Sequence, residues 1–276
     1  MNRIPQNNLT RAQYDRLAQF GVTQCVDIHC HCLPGMDDGP ATIIDALALC
    51  RALADDGITT VIATPHQLGG YDGRNKATDI RLAVDVLNKV IRSAGISLVV
   101  IPGGDVRIDE RIARFLEQDE ILTLADGGRY LLLELPNKAF IDPGSLIVGL
   151  QARGVRVIVS HPERNAFWSG RTSTVSRWIE QGAYLQITAA SLLGDFGPVA
   201  KRAAWHWLQI GAVALVATDA HNTQTRRPRL SDALEAITAR MGCDLARRVC
   251  IENPLRVATG QEIEPVLAVS QQEIRK

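Results

Sequence analysis

The chain has 276 residues, of which 46% are hydrophobic, so it can build a sizeable core in one large domain or two small ones. Its 30 basic and 30 acidic residues cancel, which leaves no overall field to attract nucleic acid or an acidic membrane. No N-terminal basic segment leads into an apolar stretch, and no run of 18 apolar residues occurs. Six scattered cysteines do not suggest a disulfide framework. We therefore expect a soluble cytoplasmic protein without a secretory signal or a membrane span.

Short apolar runs alternate with longer amphipathic stretches after residue 23. The apolar runs predict seven strands: Gln24–His29, Ile58–Thr64, Ser97–Gly103, Arg129–Leu135, Val155–Ser160, Ala183–Ile187 and Ala212–Thr218. The amphipathic stretches between them predict helices, among them Thr42–Asp55, Thr78–Ala94, Pro143–Arg153, Ser173–Gln181 and Pro198–Ile210.

Glycine lies between a predicted helix and the next strand at five places: Gly57, Gly95, Gly154, Gly182 and Gly211. A glycine just past a helix is the usual left-handed stop, and a repeated helix–glycine–strand order indicates a parallel sheet. Because the strands are almost continuously apolar, we expect both faces of the sheet to be buried. The pattern predicts a single α/β domain with a closed or nearly closed barrel; an open doubly wound sheet is the alternative.

Five of the six histidines follow predicted strands, and carboxylates follow them too. In parallel α/β folds these strand ends meet on one face. A lone histidine at a strand end is more often an ordinary polar residue, but independent placement would scatter six of them over helices and loops. The exception, His206, lies between two tryptophans on a predicted helix, and we assign it no role. The remaining side chains predict a metal site on one rim: His29, His31, His66, Asp105, Glu134, His161, Asp219 and His221.

Imidazole and carboxylate ligands suit manganese, iron or zinc rather than calcium. The candidate ligands are too many for one ion, so we expect two or three divalent metals. Metals clustered in this way are suited to activating water and holding the oxygens of a phosphoryl group. The sequence therefore predicts a metal-dependent phosphoester hydrolase.

These residues carry a family resemblance. The pattern of Asp27, His29 and His31, followed by LPGMDDG at residues 33–39, resembles the opening motif of the PHP (polymerase and histidinol phosphatase) superfamily. The Asp-Asp-Gly form resembles one branch, the bacterial manganese-dependent protein tyrosine phosphatases of capsule and exopolysaccharide clusters (CpsB/CapC-like). Further motifs continue the pattern from about residue 25 to 260: TPH at 64–66, GGD at 103–105, Glu134, HPERN at 161–165, TDAHN at 218–222 and ENP at 252–254.

The resemblance implies a distorted (β/α)7 barrel of the PHP type over residues 24–262, flanked by an N-terminal extension at 1–23 and a C-terminal tail at 263–276. It implies three metals, with manganese expected and iron or zinc as alternatives. By position, the ligands would be His29, His31 and Asp219 for the first metal, Glu134 and His161 for the second, Asp38, His66 and His221 for the third, and Asp105 as the bridge between the first two. The family usually has glutamate where this chain has Asp105.

The resemblance also implies a catalytic set of Arg164, Arg226 and Asp219, in which the arginines would bind phosphate. The alternative for Arg164 is a surface ion pair with Glu163, and the alternative for Arg226 is a place in a solvated basic loop. The expected substrate is phosphotyrosine on the tail of a bacterial tyrosine kinase of polysaccharide biosynthesis, and no nucleic-acid partner is expected. The alternatives are a PHP phosphatase of a small molecule such as histidinol phosphate, a nuclease-like phosphoesterase, and a non-catalytic metal-binding regulatory module.

A second motif indicates a different chemistry. Cys250 and Arg256 have the C-x5-R spacing of cysteine-dependent tyrosine phosphatases, which cradle phosphate in backbone N–H groups. Here Glu252 would repel phosphate, and Pro254 removes a donor. We interpret the spacing as coincidence and Cys250 as a packing residue on a helix.

Overall fold

The computed structural model describes residues 23–137, 139–264 and 266. Residues 1–22 of the predicted extension, and most of the predicted C-terminal tail, lie outside the described residues. All strand pairs in the two described sheets are parallel, with strand orders β1-β2-β4 and β3-β5-β6-β7-β8-β9. The strands are β1 Val26–Cys30, β2 Thr60–Ala63, β3 His66–Gln67, β4 Val99–Pro102, β5 Asp105–Arg107, β6 Tyr130–Glu134, β7 Arg156–Ser160, β8 Tyr184–Thr188 and β9 Leu215–Ala217.

Two of the predicted strands are interrupted where they reach the rim. Strand β2 continues into β3 after Thr64 and Pro65, and β4 continues into β5 after two glycines. The backbone N–H of Asp105 donates to the Pro65 carbonyl at 3.2 Å. The two interruptions are therefore hydrogen-bonded to each other. The two sheets are therefore joined along the chain, and His66 and Asp105 open short strands rather than following complete ones.

The seam between the first and last strands is held by a short stretch of pairing. The N–H of Asp219 donates to the His29 carbonyl at 2.8 Å, and the N–H of His31 donates to the Ala220 carbonyl at 2.9 Å. Cys30 and Ala220 form an isolated parallel bridge. The prediction of a single α/β domain with parallel strands is confirmed.

The five predicted helices are present, each within two residues of its expected bounds: α1 Ile43–Asp55, α2 Ala77–Ser93, α4 Gly144–Gln151, α5 Thr172–Glu180 and α7 Gly197–Gln209. The glycines after them all have positive φ. The sequence pattern did not indicate the further helices α3 Ile112–Glu117, α6 Ala189–Leu193, α8 Leu230–Met241, α9 Cys243–Arg247 and α10 Asn253–Ala258. Most of these have only one or two turns, too few to show a helical period. No helix of the described residues is long and apolar enough to cross a membrane.

Apolar side chains on both faces of the strands are buried. In β6, Leu131 and Leu133 belong to the larger core cluster, whereas Leu132 belongs to a smaller one. Successive strand residues point to opposite faces, so this division shows that neither face meets water. It explains why the strands read as continuous apolar runs.

A buried carboxylate strengthens the seam. Asp27 on β1 accepts hydrogen bonds from the N–H of Thr218 at 3.0 Å, from the Thr218 hydroxyl, and from the N–H of His29 at 3.3 Å. Burial raises the pKa of Asp27 to about 7 in spite of these donors. The contact fixes the end of β9 against β1, immediately before Asp219.

We expect Thr218→Val to lower the free energy of unfolding by roughly 1–3 kcal/mol, because it leaves one oxygen of buried Asp27 without its hydroxyl donor. Urea denaturation followed by circular dichroism measures the change. The matched control is Thr238→Val, since that hydroxyl only bonds the Leu234 carbonyl of its own helix. Equal losses in the two variants would contradict a special role for the seam.

Candidate metal centre

The strand ends bring together all nine side chains that the sequence predicted as metal ligands. In each of four overlapping groups, the ligand-type atoms lie within 4.8 Å of one another. The groups are His31, Asp38, His66 and His221; His29, Asp105 and His161; His29, His31 and Asp219; and His66, Asp105 and Glu134. The first and third contain the sets predicted for the third and first metals. The other two divide differently, because His66 lies beside Asp105 and Glu134, and His161 lies beside His29.

The centre of the cluster is crowded with facing nitrogen and oxygen atoms. The Nε2 atoms of His29 and His31 are 3.2 Å apart, and Asp219 Oδ1 lies 3.3 and 3.4 Å from them. His66 Nδ1 lies 3.2 Å from an oxygen of Asp105. His221 Nε2 lies 3.2 Å from Asp38 Oδ1, the half-exposed carboxylate of the cluster. Imidazole nitrogens and carboxylate oxygens thus face the same small spaces within the cluster.

Several of these atoms are buried without a hydrogen bond. Within the described residues, Asp105 Oδ2, Asp219 Oδ1 and His221 Nε2 have no hydrogen-bond partner. Buried polar atoms are almost always paired, so an unpaired set that converges on common points fits a divalent cation. The mixture of imidazole and carboxylate suits manganese, iron or zinc. The residues present therefore fit the metals that the sequence predicted.

Three of the histidines are oriented by a contact at Nδ1. His29 Nδ1 contacts Gln186 Oε1 at 3.0 Å, His31 Nδ1 contacts Asp37 Oδ2 at 2.6 Å, and His221 Nδ1 contacts the Asp219 carbonyl at 3.0 Å. In each case Nε2 is left to face the cluster. Ligand histidines are commonly held in this way, with the second nitrogen bonded to a carboxylate, amide or carbonyl oxygen.

Sequence reasoning missed two of these supporting side chains. Gln186 is a fully buried amide between Leu185 and Ile187 in strand β8, and this is a signal that could have been followed. Asp37 was recognised only as part of a motif. Besides His31, it accepts from the backbone N–H groups of His66 at 3.0 Å and Gly39 at 3.0 Å. A Cβ on Gly39 would lie 2.4 Å from the His31 carbonyl oxygen, so this loop must pass directly against the first ligand strand.

The backbone turns sharply at two of the predicted ligands. His161 has φ of 34° and Asp219 has φ of 51°, both in the left-handed region. Non-glycine residues are uncommon there, and such strain concentrates at functional sites. The turn after His161 is fixed by Glu163, which is fully buried and accepts from the Thr188 N–H at 2.9 Å and the Ser191 hydroxyl at 2.7 Å.

The crowding shifts the pKa values of the cluster. Burial and the neighbouring Asp105 raise the pKa of Glu134 to about 7. Burial and His31 lower the pKa of His221 to about 4, so this imidazole is neutral at neutral pH, as a metal ligand must be. Burial disfavours charge on Asp219, but His29 and Arg164 outweigh it and hold its pKa well below the usual range.

Both predicted phosphate-binding arginines reach the cluster. The guanidinium groups of Arg164 and Arg226 each donate to Asp219 Oδ2, the second at 2.6 Å. Arg164 lies over the ring of Phe196 at 4.2 Å and does not pair with Glu163, which is turned inward. A third guanidinium, from Arg107, pairs with Glu134 at 2.9 Å and was not anticipated. Positive groups therefore border the same cluster that the ligands form.

The residues left out of the metal site lie elsewhere. His206 is exposed on α7. Cys250 is buried in the π-helical turn Arg248–Glu252, and burial raises the pKa of its thiol far above the usual value. Arg256 pairs with Glu264. No phosphate-binding loop joins the cysteine to the arginine among the described residues here.

Fold and side chains together define an α/β barrel of the class that carries a metal centre at the carboxyl ends of its strands. Residues 25–259 match the family model for capsular polysaccharide synthesis, CpsB/CapC, and the chain belongs to this family.

Named relatives agree with this assignment. The tyrosine-protein phosphatase YwqE of Bacillus subtilis is 36% identical over 221 residues, which cover 80% of this chain and 86% of that protein. A putative tyrosine-protein phosphatase CapC of Staphylococcus aureus is 35% identical and covers 74% of this chain and 79% of its own. A solved structure, from work on YwqE and the CpsB of Streptococcus pneumoniae as metal-dependent tyrosine phosphatases, superposes with a TM-score of 0.83. It has 34% identity and covers 89% of this chain and 100% of that chain.

We expect Asp37→Ala to weaken metal binding by roughly 10- to 100-fold, because His31 loses the acceptor that orients it. Isothermal titration of metal-stripped protein with Mn²⁺ measures the affinity. Asp85→Ala removes an exposed carboxylate on α2 and is the control, with unchanged affinity expected. Full affinity in the Asp37 variant would show that His31 is positioned by other contacts.

Proposed function

We propose that this chain is a metal-dependent protein tyrosine phosphatase. The observation that carries the proposal is the meeting of nine ligand-type side chains and two arginines at one rim. The relatives named as tyrosine phosphatases support the substrate class, and they match most of the chain. We further propose that the substrate is a phosphotyrosine on a tyrosine kinase of polysaccharide assembly, and that the protein acts in the cytoplasm.

The nine side chains would hold two or three divalent ions, with manganese preferred and iron or zinc as alternatives. Bound ions of this kind supply Lewis acidity, which activates water and neutralises the oxygens of a phosphoryl group. The Asp105 carboxylate lies 3.8 Å from His29 and 3.2 Å from His66, so it would help these two histidines to hold the ions. We propose the catalytic set Asp219, Arg164 and Arg226 together with these ligands.

The arginines would bind the phosphoryl group. Guanidinium groups match phosphate oxygens with paired N–H donors, so they neutralise charge as it spreads over the equatorial oxygens. Asp219 holds both of them beside the ligands, and Phe196 supports the plane of Arg164. A tyrosine phenolate, with an unperturbed pKa of about 10, leaves more easily than an aliphatic alkoxide. No side chain needs to form a covalent intermediate.

An aromatic side chain at the edge of the cluster favours an aryl substrate. The ring of Tyr71 lies parallel to that of His66, with centroids 5.5 Å apart. Tyr71 is partly exposed in the loop that follows β3. Aromatic rings associate favourably at such distances, so this edge suits the phenyl ring of phosphotyrosine better than a small aliphatic phosphate.

The substrate class is tested by steady-state kinetics of Mn-loaded protein on a phosphotyrosine peptide, the matching phosphoserine peptide and histidinol phosphate. We expect kcat/KM to be highest for phosphotyrosine. We expect His29→Ala to lose activity by about two orders of magnitude or more, since it removes a shared ligand. A preference for histidinol phosphate would contradict the proposed phosphotyrosine substrate but not the proposed metal-dependent hydrolysis. Wild-type protein that binds metal but hydrolyses none of the three would support a regulatory module.

The cysteine mechanism is tested by Cys250→Ser. We expect kcat/KM on the phosphotyrosine peptide to stay within about twofold of wild type, because the thiol is buried and lies outside the cluster. Circular dichroism and metal content show whether fold and site are kept. Loss of activity with both retained would overturn the metal mechanism.

A further inference from the structure

Two consecutive large apolar side chains are exposed in a loop on the face that carries the metal centre. Phe140 and Ile141 lie between β6 and α4, with 55% and 40% of their surfaces open to solvent. The loop follows Glu134, a predicted ligand at the end of β6. It therefore belongs to the rim around the centre.

The loop is fastened at both ends. On one side, Asn165 Nδ2 donates to the Pro136 carbonyl at 3.0 Å. On the other, Asp142 accepts from Trp178 Nε1 at 2.8 Å and from the N–H of Gly144 at 3.0 Å. Phe140 and Ile141 therefore lie between two anchored points of the chain.

The exposed pair rests on a built aromatic base. The Phe140 ring lies 4.5 Å from the ring of buried Trp168 and 6.2 Å from that of Phe167. The guanidinium of exposed Arg171 lies 5.3 Å from the Phe140 centroid. We call Phe140, Ile141 and Arg171 the apolar ledge. It offers a ring face, an aliphatic side chain and one positive charge.

The ledge is continuous with the phosphate-binding side of the centre. Arg164 directly precedes Asn165, and the N–H of Trp168 donates to the Asn165 carbonyl at 3.1 Å, which places the base one turn away from the arginine. An extended peptide advances about 3.3 Å per residue. A peptide that runs from the centre along this side would bring a residue flanking its phosphotyrosine to the ledge.

We propose that the apolar ledge is a specificity subsite that binds a large apolar side chain flanking the phosphotyrosine of a protein substrate. This inference rests on the proposed function. The occupant is a peptide side chain because the ledge adjoins the phosphate-binding arginines and is itself apolar. Arg171 at its edge favours peptides without a basic residue at that position. Phosphotyrosine alone has no flanking side chain to place on the ledge.

The test is a set of phosphotyrosine peptides that are identical except for one leucine, which is moved from four residues before to four residues after the phosphotyrosine in an alanine–serine background. The measured quantity is the ratio of kcat/KM on each peptide to kcat/KM on p-nitrophenyl phosphate, with Mn-loaded protein. In wild type we expect one or two adjacent leucine positions to raise this ratio by roughly tenfold, the size expected for partial burial of one apolar side chain.

Phe140→Ser should abolish that positional preference, and Phe140→Leu should restore most of it. Val148→Ser is the matched control, since Val148 is 51% exposed on α4 and lies outside the ledge; it should keep the preference. Ile141→Ser is a second variant in case Phe140→Ser does not fold. A flat wild-type series, or a preference that survives in both ledge variants, would overturn the subsite. Wild-type protein that hydrolyses neither the peptides nor p-nitrophenyl phosphate would instead sink the proposed function itself.

Discussion

The buried contact between Asp27 and Thr218 is the constraint on which the rest of the site depends. It joins the first strand to the end of the last one across 191 residues of chain. His29 and His31 come from one side of this seam, and Asp219 and His221 come from the other. Without the seam, the two halves of the first ligand group would not face each other. The main contribution of the fold to the site is therefore to bring its two most distant chain segments together.

The cluster carries a cost that metals would relieve. Burial and the neighbouring Asp105 raise the pKa of Glu134, whereas His29 and Arg164 hold the pKa of Asp219 low against its burial. Three guanidinium groups at the border partly balance the negative charge. The Asp105 carboxylate lies 3.8 Å from His29 and 3.2 Å from His66. The pairing of β3 with β5 sets His66 and Asp105 side by side.

Chemistry and recognition are assigned to different parts of the rim. The ligands lie at the ends of strands, where buried neighbours fix them closely. The aromatic edge at Tyr71 and the apolar ledge lie in the loops that follow β3 and β6, where the surface is free to vary. Asn165 connects the strand ends with the loop after β6, since it directly follows Arg164 and donates a hydrogen bond to the Pro136 carbonyl. Substrate choice can thus change without disturbing the metal centre.

The sequence by itself determined most of the strands, the main helices and eight of the nine candidate ligands, because apolar periodicity and polar residues at strand ends are local signals. The ninth candidate, Asp38, came from the family motif. It did not determine that two strands break before His66 and Asp105, so that these residues pair in register on β3 and β5. Nor did it identify Gln186 and Arg107 as partners of His29 and Glu134, or separate Arg164 from Glu163. Those relations join atoms far apart in the chain or depend on the direction of a side chain. Only the tertiary structure decides them, because a hydrogen bond is set by distance and angle in space and leaves no period in the sequence.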